Sequence, residues 1–262
     1  SSERLPSDLA PGCRTLSVVS SPDVSLATWY CDRGAETPLV ILFHGYCAEK
    51  ASMLREAKAL LGLGVSVLLV DFRGSGGSSE SYTTIGVREG DDVAAVARYA
   101  RDSLSHSAVI LYGQSMGAGA VLRAVSRNGA TPNAVILAGV FDTMLNTVRN
   151  RFASMGIPSF PSAQLLVFWG GVQWGFNGFA HNPADYARSV NCPTLVMHGA
   201  DDPRAKVTEG RRVFAAVPGP KEFREFGAVG HESYVSKHPG EWRAAVAEII
   251  RKVDLADVDG ID

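Results

Sequence analysis

The sequence predicts an α/β fold, a mostly parallel eight-stranded sheet flanked by helices, and three observations carry the prediction. The segments PLVILFH, VSVLLV, AVILY, AVILA and PTLVMH are continuous apolar runs rich in Val, Ile and Leu, as expected of strands covered on both faces. Stretches with helical apolar spacing lie between them, as parallel crossovers require. Near the amino terminus two segments instead alternate apolar and polar residues, the mark of half-exposed strands.

Taken in chain order, Arg14–Ser20 and Val24–Tyr30 read as an antiparallel edge hairpin, because SPDV between them supplies the Pro and Asp of a turn. Helical spacing covers Glu49–Leu63, Val87–Ser103, Met116–Arg127, Val207–Ala216 and Glu241–Val253, and Glu222–Phe226 reads as the last strand. The chain has 262 residues, 46% of them hydrophobic, and no repeat or linker interrupts it, so 1–262 reads as one domain. The net charge of −2 leaves no basic surplus for phosphates, which argues against a nucleic-acid partner. No apolar run reaches the roughly 18 residues of a membrane span, so no integral membrane segment is expected.

The stretch LYGQSMGAGA, Leu111 to Ala120, sits where a strand passes into a helix. Gly113 and Gly117 flank Ser115 at positions where a side chain would crowd a tight turn, and such a turn lifts a strained serine above the sheet. It also leaves the first N–H groups of the helix free to serve an oxyanion. The alternative is a small-residue turn that only packs helix on strand. A serine nucleophile needs a histidine base and a carboxylate to orient it. His231, in GAVGHESY after the last strand, is the candidate base; His198 ends a strand, and His106, His181 and His238 read as solvent-exposed bystanders in polar loops.

GQSMG in this setting resembles the nucleophile elbow of the α/β-hydrolase family, and the likeness extends over about residues 16–253 through HG, DFRG, GQSMG, HGADD and GH in order. The particular branch resembled is that of bacterial serine esterases, similar to serine aminopeptidases and lipases. The resemblance places the acid in HGADDPRAKV at Asp202, with adjacent Asp201 a turn former and Asp142 in GVFDT a lower-ranked alternative. It implies an oxyanion hole from the backbone N–H groups of Tyr46, after His44-Gly45, and Met116, with His44 holding the loop. Asp71 and Arg73 of DFRGSGGSS are read as loop-organising partners; a phosphate-binding reading lacks the lysine and the glycine spacing. The family's variable lid falls at 141–190, where Trp169, Trp174 and Phe176 are either an apolar wall over Ser115, packing of a lid helix, or an exposed patch for association.

The resemblance therefore implies a serine carboxylesterase cleaving small to medium acyl esters through an acyl-enzyme, with no metal and no organic cofactor. Its partner is a small-molecule ester, and the chain is expected as a monomer or homodimer. A thioesterase or aminopeptidase-like amide hydrolase is the alternative; a non-catalytic binding module is the alternative of another class, although such scaffolds commonly lose a triad member and this chain keeps all three.

The cysteines bear on location. Cys13 and Cys31 lie at equal distance on either side of Pro22, so a hairpin centred there sets them opposite one another, within reach of a disulfide. Two free thiols in a reducing cytoplasm are the alternative. Cys47 and Cys192 have no evident mate and read as buried free thiols. A bridge, together with the leaderless start SSERLPSDLAPG, favours a periplasmic or secreted location over the cytoplasm.

Overall fold

Period-two alternation decides which layer each strand residue joins, and the sheet obeys it. The computed structural model describes residues 4–7, 9 and 12–258, with side chains described as far as Val253; residues 1–3, 8, 10 and 11 of the opening stretch lie outside it. Strand β1 (Cys13–Ser21) and β2 (Val24–Cys31) form the expected hairpin, with a bulge between Val19 and Ser21 beside the Pro22-Asp23 turn. Their register sets Cys13 opposite Cys31, and a disulfide joins them. The other strands are β3 (Leu39–Phe43), β4 (Ser66–Val70), β5 (Val109–Gln114), β6 (Ala134–Ala138), β7 (Thr194–Gly199) and β8 (Lys221–Phe226). Among the described residues the sheet has eight strands in the order β1-β2-β4-β3-β5-β6-β7-β8; β1 with β2 and β2 with β4 are antiparallel, and all other pairs are parallel.

Helices cover both faces. On one side lie α1 (Leu54–Leu61), entered through a 3-10 turn at Lys50–Met53, and the last helix, whose Trp242, Val246 and Ile249 pack with Val40, Leu42 and Leu69 of the strands. On the other lie α2 (Glu89–Asp102) and α3 (Met116–Arg127), where Val93, Val96 and Val121 meet Leu39, Ile41 and Phe43. Neighbouring residues of β3 thus feed opposite layers, which is why its sequence is apolar throughout. The helix expected from Glu49 begins with that 3-10 turn because Asp71 holds both the Lys50 N–H, at 2.6 Å, and its ammonium.

Between β6 and β7 the chain builds a cap. Helices α4 (Met144–Ser154) and α5 (Ser162–Trp174) pack through Met144, Val148, Ala163 and Val167. Thr143 starts α4 as an N-cap, accepting from the Asn146 N–H at 3.1 Å. Helix α5 has no charged residue, yet it buries only Ala163, Val167 and Gly171 and exposes Leu165, Leu166, Phe168, Trp169 and Val172. A short α6 (Pro183–Tyr186), then α7 (Val207–Ala216), α8 (Tyr234–Lys237) and α9 (Pro239–Val258), the last helix, complete the chain.

Two expectations need correction. His106 and His181 are not exposed; each is 1% accessible. His106 is bonded between the Tyr30 hydroxyl at 2.7 Å and the Thr37 carbonyl at 3.2 Å, and His181 is packed against Phe141 and Tyr186, so polar sequence neighbours misrepresented their surroundings. Cys47, in turn, is exposed, because it occupies a positive-φ turn (54°) at the mouth of a cavity.

Candidate active site

The parallel strands end together on one edge of the sheet, and the loops that leave β3, β5, β7 and β8 converge there. In doubly wound sheets a crevice opens where the chain winds in opposite directions from two adjacent strands, here β3 and β5. Gly45, just past β3, faces that crevice: a Cβ added to it would lie 3.5 Å from the Ser115 Cβ.

Ser115 stands at φ 52°, ψ −112°, a conformation that side chains rarely adopt and that only surrounding packing can impose. The flanking glycines supply that packing. A Cβ on Gly113 would meet Gly117 O and Ala118 N at 2.5 Å, and one on Gly117 would meet His44 O at 2.8 Å and Phe43 O closer still. Strand β5, the elbow and the end of β3 therefore touch backbone to backbone. The Ser115 N–H donates to Ala138 O at 2.8 Å, and its carbonyl accepts from Ala118 and Gly119, starting α3 directly behind the hydroxyl.

A continuous hydrogen-bond relay leads away from that hydroxyl. Ser115 Oγ lies 2.9 Å from His231 Nε2, and His231 Nδ1 donates to Asp202 Oδ2 at 2.6 Å. The other carboxylate oxygen accepts from the backbone N–H groups of Arg204, at 2.8 Å, and Ala205, at 3.0 Å, so Asp202 is both buried and fixed in rotamer. His198 backs it 4.0 Å away, donating from Nε2 to Ala205 O at 2.7 Å; burial keeps its pKa below the ordinary value. Neighbouring Asp201 is exposed and holds the loop through its N–H to Val229 O. Asp142, the lower-ranked acid, is bonded to Arg212 at 2.7 Å and to Asn146 instead.

The Tyr46 and Met116 backbone N–H groups border the same space, and neither has an acceptor among the described residues. His44 fixes this loop as a neutral ring: Phe72 N–H donates to its Nε2 at 3.1 Å, and its Nδ1 donates to Gly45 O at 2.8 Å. Burial lowers its pKa, in keeping with that role. Asp71 organises its own loop by accepting from Lys50 and Gly77, and Arg73 forms a two-pronged pair with Asp92 at 3.0 and 2.6 Å.

Ser115 and His231 open into a cavity of about 660 Å³. Its apolar wall comes from Ile85, Phe141, Val148, Phe152, Met155 and Leu166. Trp169, Trp174 and Phe176, the aromatic residues expected there, do not line it. Trp169 is exposed on the outer face of α5, Trp174 stacks on Tyr82 with ring centroids 4.1 Å apart, and Phe176 lines a shallow depression behind the helix. The residues missed in sequence are those of α4. Their signal was present in the spacing of Met144, Val148 and Phe152, one helical face behind a Thr cap.

Fold and site together define an α/β-hydrolase with a hydrogen-bonded serine, histidine and aspartate at the carboxyl edge of its sheet. A model of the serine aminopeptidase S33 family matches residues 34–165, about half of the chain, and the protein belongs to that family of hydrolases. An uncharacterized protein of Mycobacterium tuberculosis is 29% identical over 235 residues, covering 86% of this chain and 74% of that one. A lysophosphatidylserine lipase of Macaca fascicularis is 25% identical over 210 residues, which are 76% of this chain but half of the lipase. Among solved structures, an esterase of Pyrococcus furiosus superposes with a TM-score of 0.77 at 21% identity, covering 95% of this chain and 96% of the esterase, a likeness of fold.

Proposed function

We propose that the protein is a serine esterase that cleaves acyl esters through an acyl-enzyme. The observation that carries this reading is the Ser115–His231–Asp202 relay opening into an apolar cavity beside two unengaged backbone N–H groups. Ser115 Oγ attacks the ester carbonyl as His231 Nε2 takes its proton, and Asp202 stabilises the imidazolium so formed. The Tyr46 and Met116 N–H groups receive the oxyanion. His231 then protonates the departing alcohol, and a water activated by the same nitrogen releases the acid. The lipase and esterase names of the relatives agree with this chemistry.

An aminopeptidase must hold an ammonium group near the scissile bond. Among the described residues no Asp or Glu lines this cavity, which weighs for esters against peptides despite the family's name. The cap formed by α4 and α5 supplies the acyl wall. We also propose an oxidising native compartment, periplasmic or extracellular, from the Cys13–Cys31 bridge.

The test is a panel of 4-nitrophenyl esters graded in acyl length, run beside a matched thioester and an aminoacyl anilide, with fluorophosphonate labelling. Ester turnover that exceeds the anilide and is lost with labelling in Ser115→Ala is expected; roughly 10³–10⁶ of rate depends on such a nucleophile. A wild type that takes no label and turns over no ester would overturn the reading in favour of a binding scaffold.

A further inference from the structure

The Ser115 cavity is lined by two cations, one from the cap and one from the loop after β7, and by no carboxylate among the described residues. Arg151, on α4, and Arg204, in the loop that carries Asp202, both line it, and among the described residues no Asp or Glu does. Only their backbones are engaged: the Arg151 carbonyl accepts from Ser154 Oγ, while Arg204 accepts from Asn150 Nδ2 and donates its N–H to Asp202. Neither guanidinium has a hydrogen bond or ion pair among the described residues.

That state contrasts with other arginines near the site. Arg73 is paired with Asp92, and Arg212 with Asp142, which lies in the loop just before α4. Asp142 is therefore already committed, and the chain carries no Asp or Glu from 143 to 184; in the loop of Arg204 itself, Asp202 is buried and taken up by His231, while Asp201 is exposed outside the cavity lining. Arg151 and Tyr46 line the same cavity. The same cavity is lined by the apolar side chains of Val148, Phe152, Met155 and Leu166.

From this we infer that Arg151 and Arg204 form an anion-binding rim, and that the preferred substrate is an amphiphilic ester with an acyl chain and a carboxylate or phosphate group. The inference rests on the esterase reading and adds the substrate class. A guanidinium fork matches the oxygens of either anion. Because the side chains are exposed, water and salt weaken the attraction, so the preference is a matter of one to two orders of magnitude rather than absolute.

Four octanoyl esters of one acyl length test it: 1-octanoylglycerol, its 3-phosphate, O-octanoylglycolate and octanoylcholine. They are neutral, phosphate-bearing, carboxylate-bearing and cationic in turn. The readout is the ratio of kcat/KM for each charged ester to that for the neutral one, which cancels any general loss in a variant.

The expected wild-type order is anionic, then neutral, then cationic. Arg151→Gln and Arg204→Gln should each lower the anionic ratio about tenfold, and Arg151→Glu should raise the choline ester above the anionic ones. The wild-type preference should shrink as salt rises from about 0.05 to about 0.5 M. Comparison of phosphate with carboxylate shows which anion fits better. Turnover of the neutral ester with charge ratios unmoved by all three substitutions would overturn the inference while leaving the esterase reading intact. Failure of the wild type on every ester would overturn both.

Discussion

Adding one methyl group at Gly113 tests how the elbow is held. The backbone there lies outside the positive-φ set, so alanine is conformationally permitted and the effect is one of space alone. Its Cβ would stand 2.5 Å from Gly117 O and Ala118 N, where ordinary contact begins at 3.4 Å, so about 0.9 Å must be found. Both obstacles are backbone in the first turn of α3, and that turn is pinned by the Ala118 and Gly119 N–H groups on Ser115 O. Strand β5 cannot yield either, being paired on both sides by β3 and β6. The displacement therefore falls on the segment that aims Ser115 Oγ and the Met116 N–H.

Misplacement of reacting groups by about 1 Å costs on the order of 10²-fold in rate. Overpacking costs about 1–3 kcal/mol, of which glycine-to-alanine chain stiffening returns roughly half a kcal/mol. Gly113→Ala should thus lose about a hundredfold in kcat for its best ester and melt several degrees lower. Gly170→Ala in α5, where nothing lies within 4 Å of the added carbon, is the control and should melt no lower than wild type. The measurements are steady-state hydrolysis and thermal unfolding followed by circular dichroism. A Gly113→Ala protein with at least a third of wild-type kcat and an unchanged melting temperature would refute the steric account.

Further outcomes follow from the same geometry. Asp202→Asn should lower kcat by roughly 10³–10⁴ by disturbing the His231 tautomer, whereas Asp201→Asn, at an exposed position, should stay within about twofold; a reversed order would move the acid by one residue. Reducing the Cys13–Cys31 bridge, which closes a separation of 18 residues, should cost about 3 kcal/mol, seen as a fall of roughly 6–12 °C with a phosphine reductant; no shift would mean the bridge does not constrain the unfolded chain. Burial holds His44, His181 and His198 below their ordinary pKa, His181 at about 3. The unfolded chain therefore binds more protons below about pH 6.5, and stability present above that pH is lost on acidification, by up to roughly 1.4 kcal/mol per pH unit for each fully neutral ring. Equal urea midpoints at pH 7.5 and pH 5 would contradict this.

The main body of the fold was legible because the inner strands β3 to β7 are short runs of β-branched and other apolar residues set between helical patterns, and HG, GQSMG and HGADD lie at strand ends. Asp202 was distinguishable from Asp201 only through the family's loop register; composition treats the two alike. The cap was harder to read. Helix α5 is apolar around its whole circumference, so periodicity could not say which face turns inward. Close approach decides it: a Cβ on Gly171 would meet Phe176 O at 2.5 Å, so the small-residue line Ala163, Val167, Gly171 packs inward and Trp169 turns out. Large aromatic residues drew attention in the sequence, while the smaller ones set the orientation.

Strand β8 gives the site an unusual relation to the rest of the molecule. Among the described residues it is the outermost strand on its side, pairs with β7 alone, and is mostly exposed along its length, yet the loop that leaves it delivers His231. His231 is thus hung from an edge of the sheet, while Ser115 hangs from its centre. Local opening at that edge would separate the two while leaving the pairing of β3 with β5 in place. Turnover then serves as a sensor of the β7–β8 pairing: in mild denaturant it should fade while helix and sheet signals persist, and a nascent chain should gain it only after its final strand has docked.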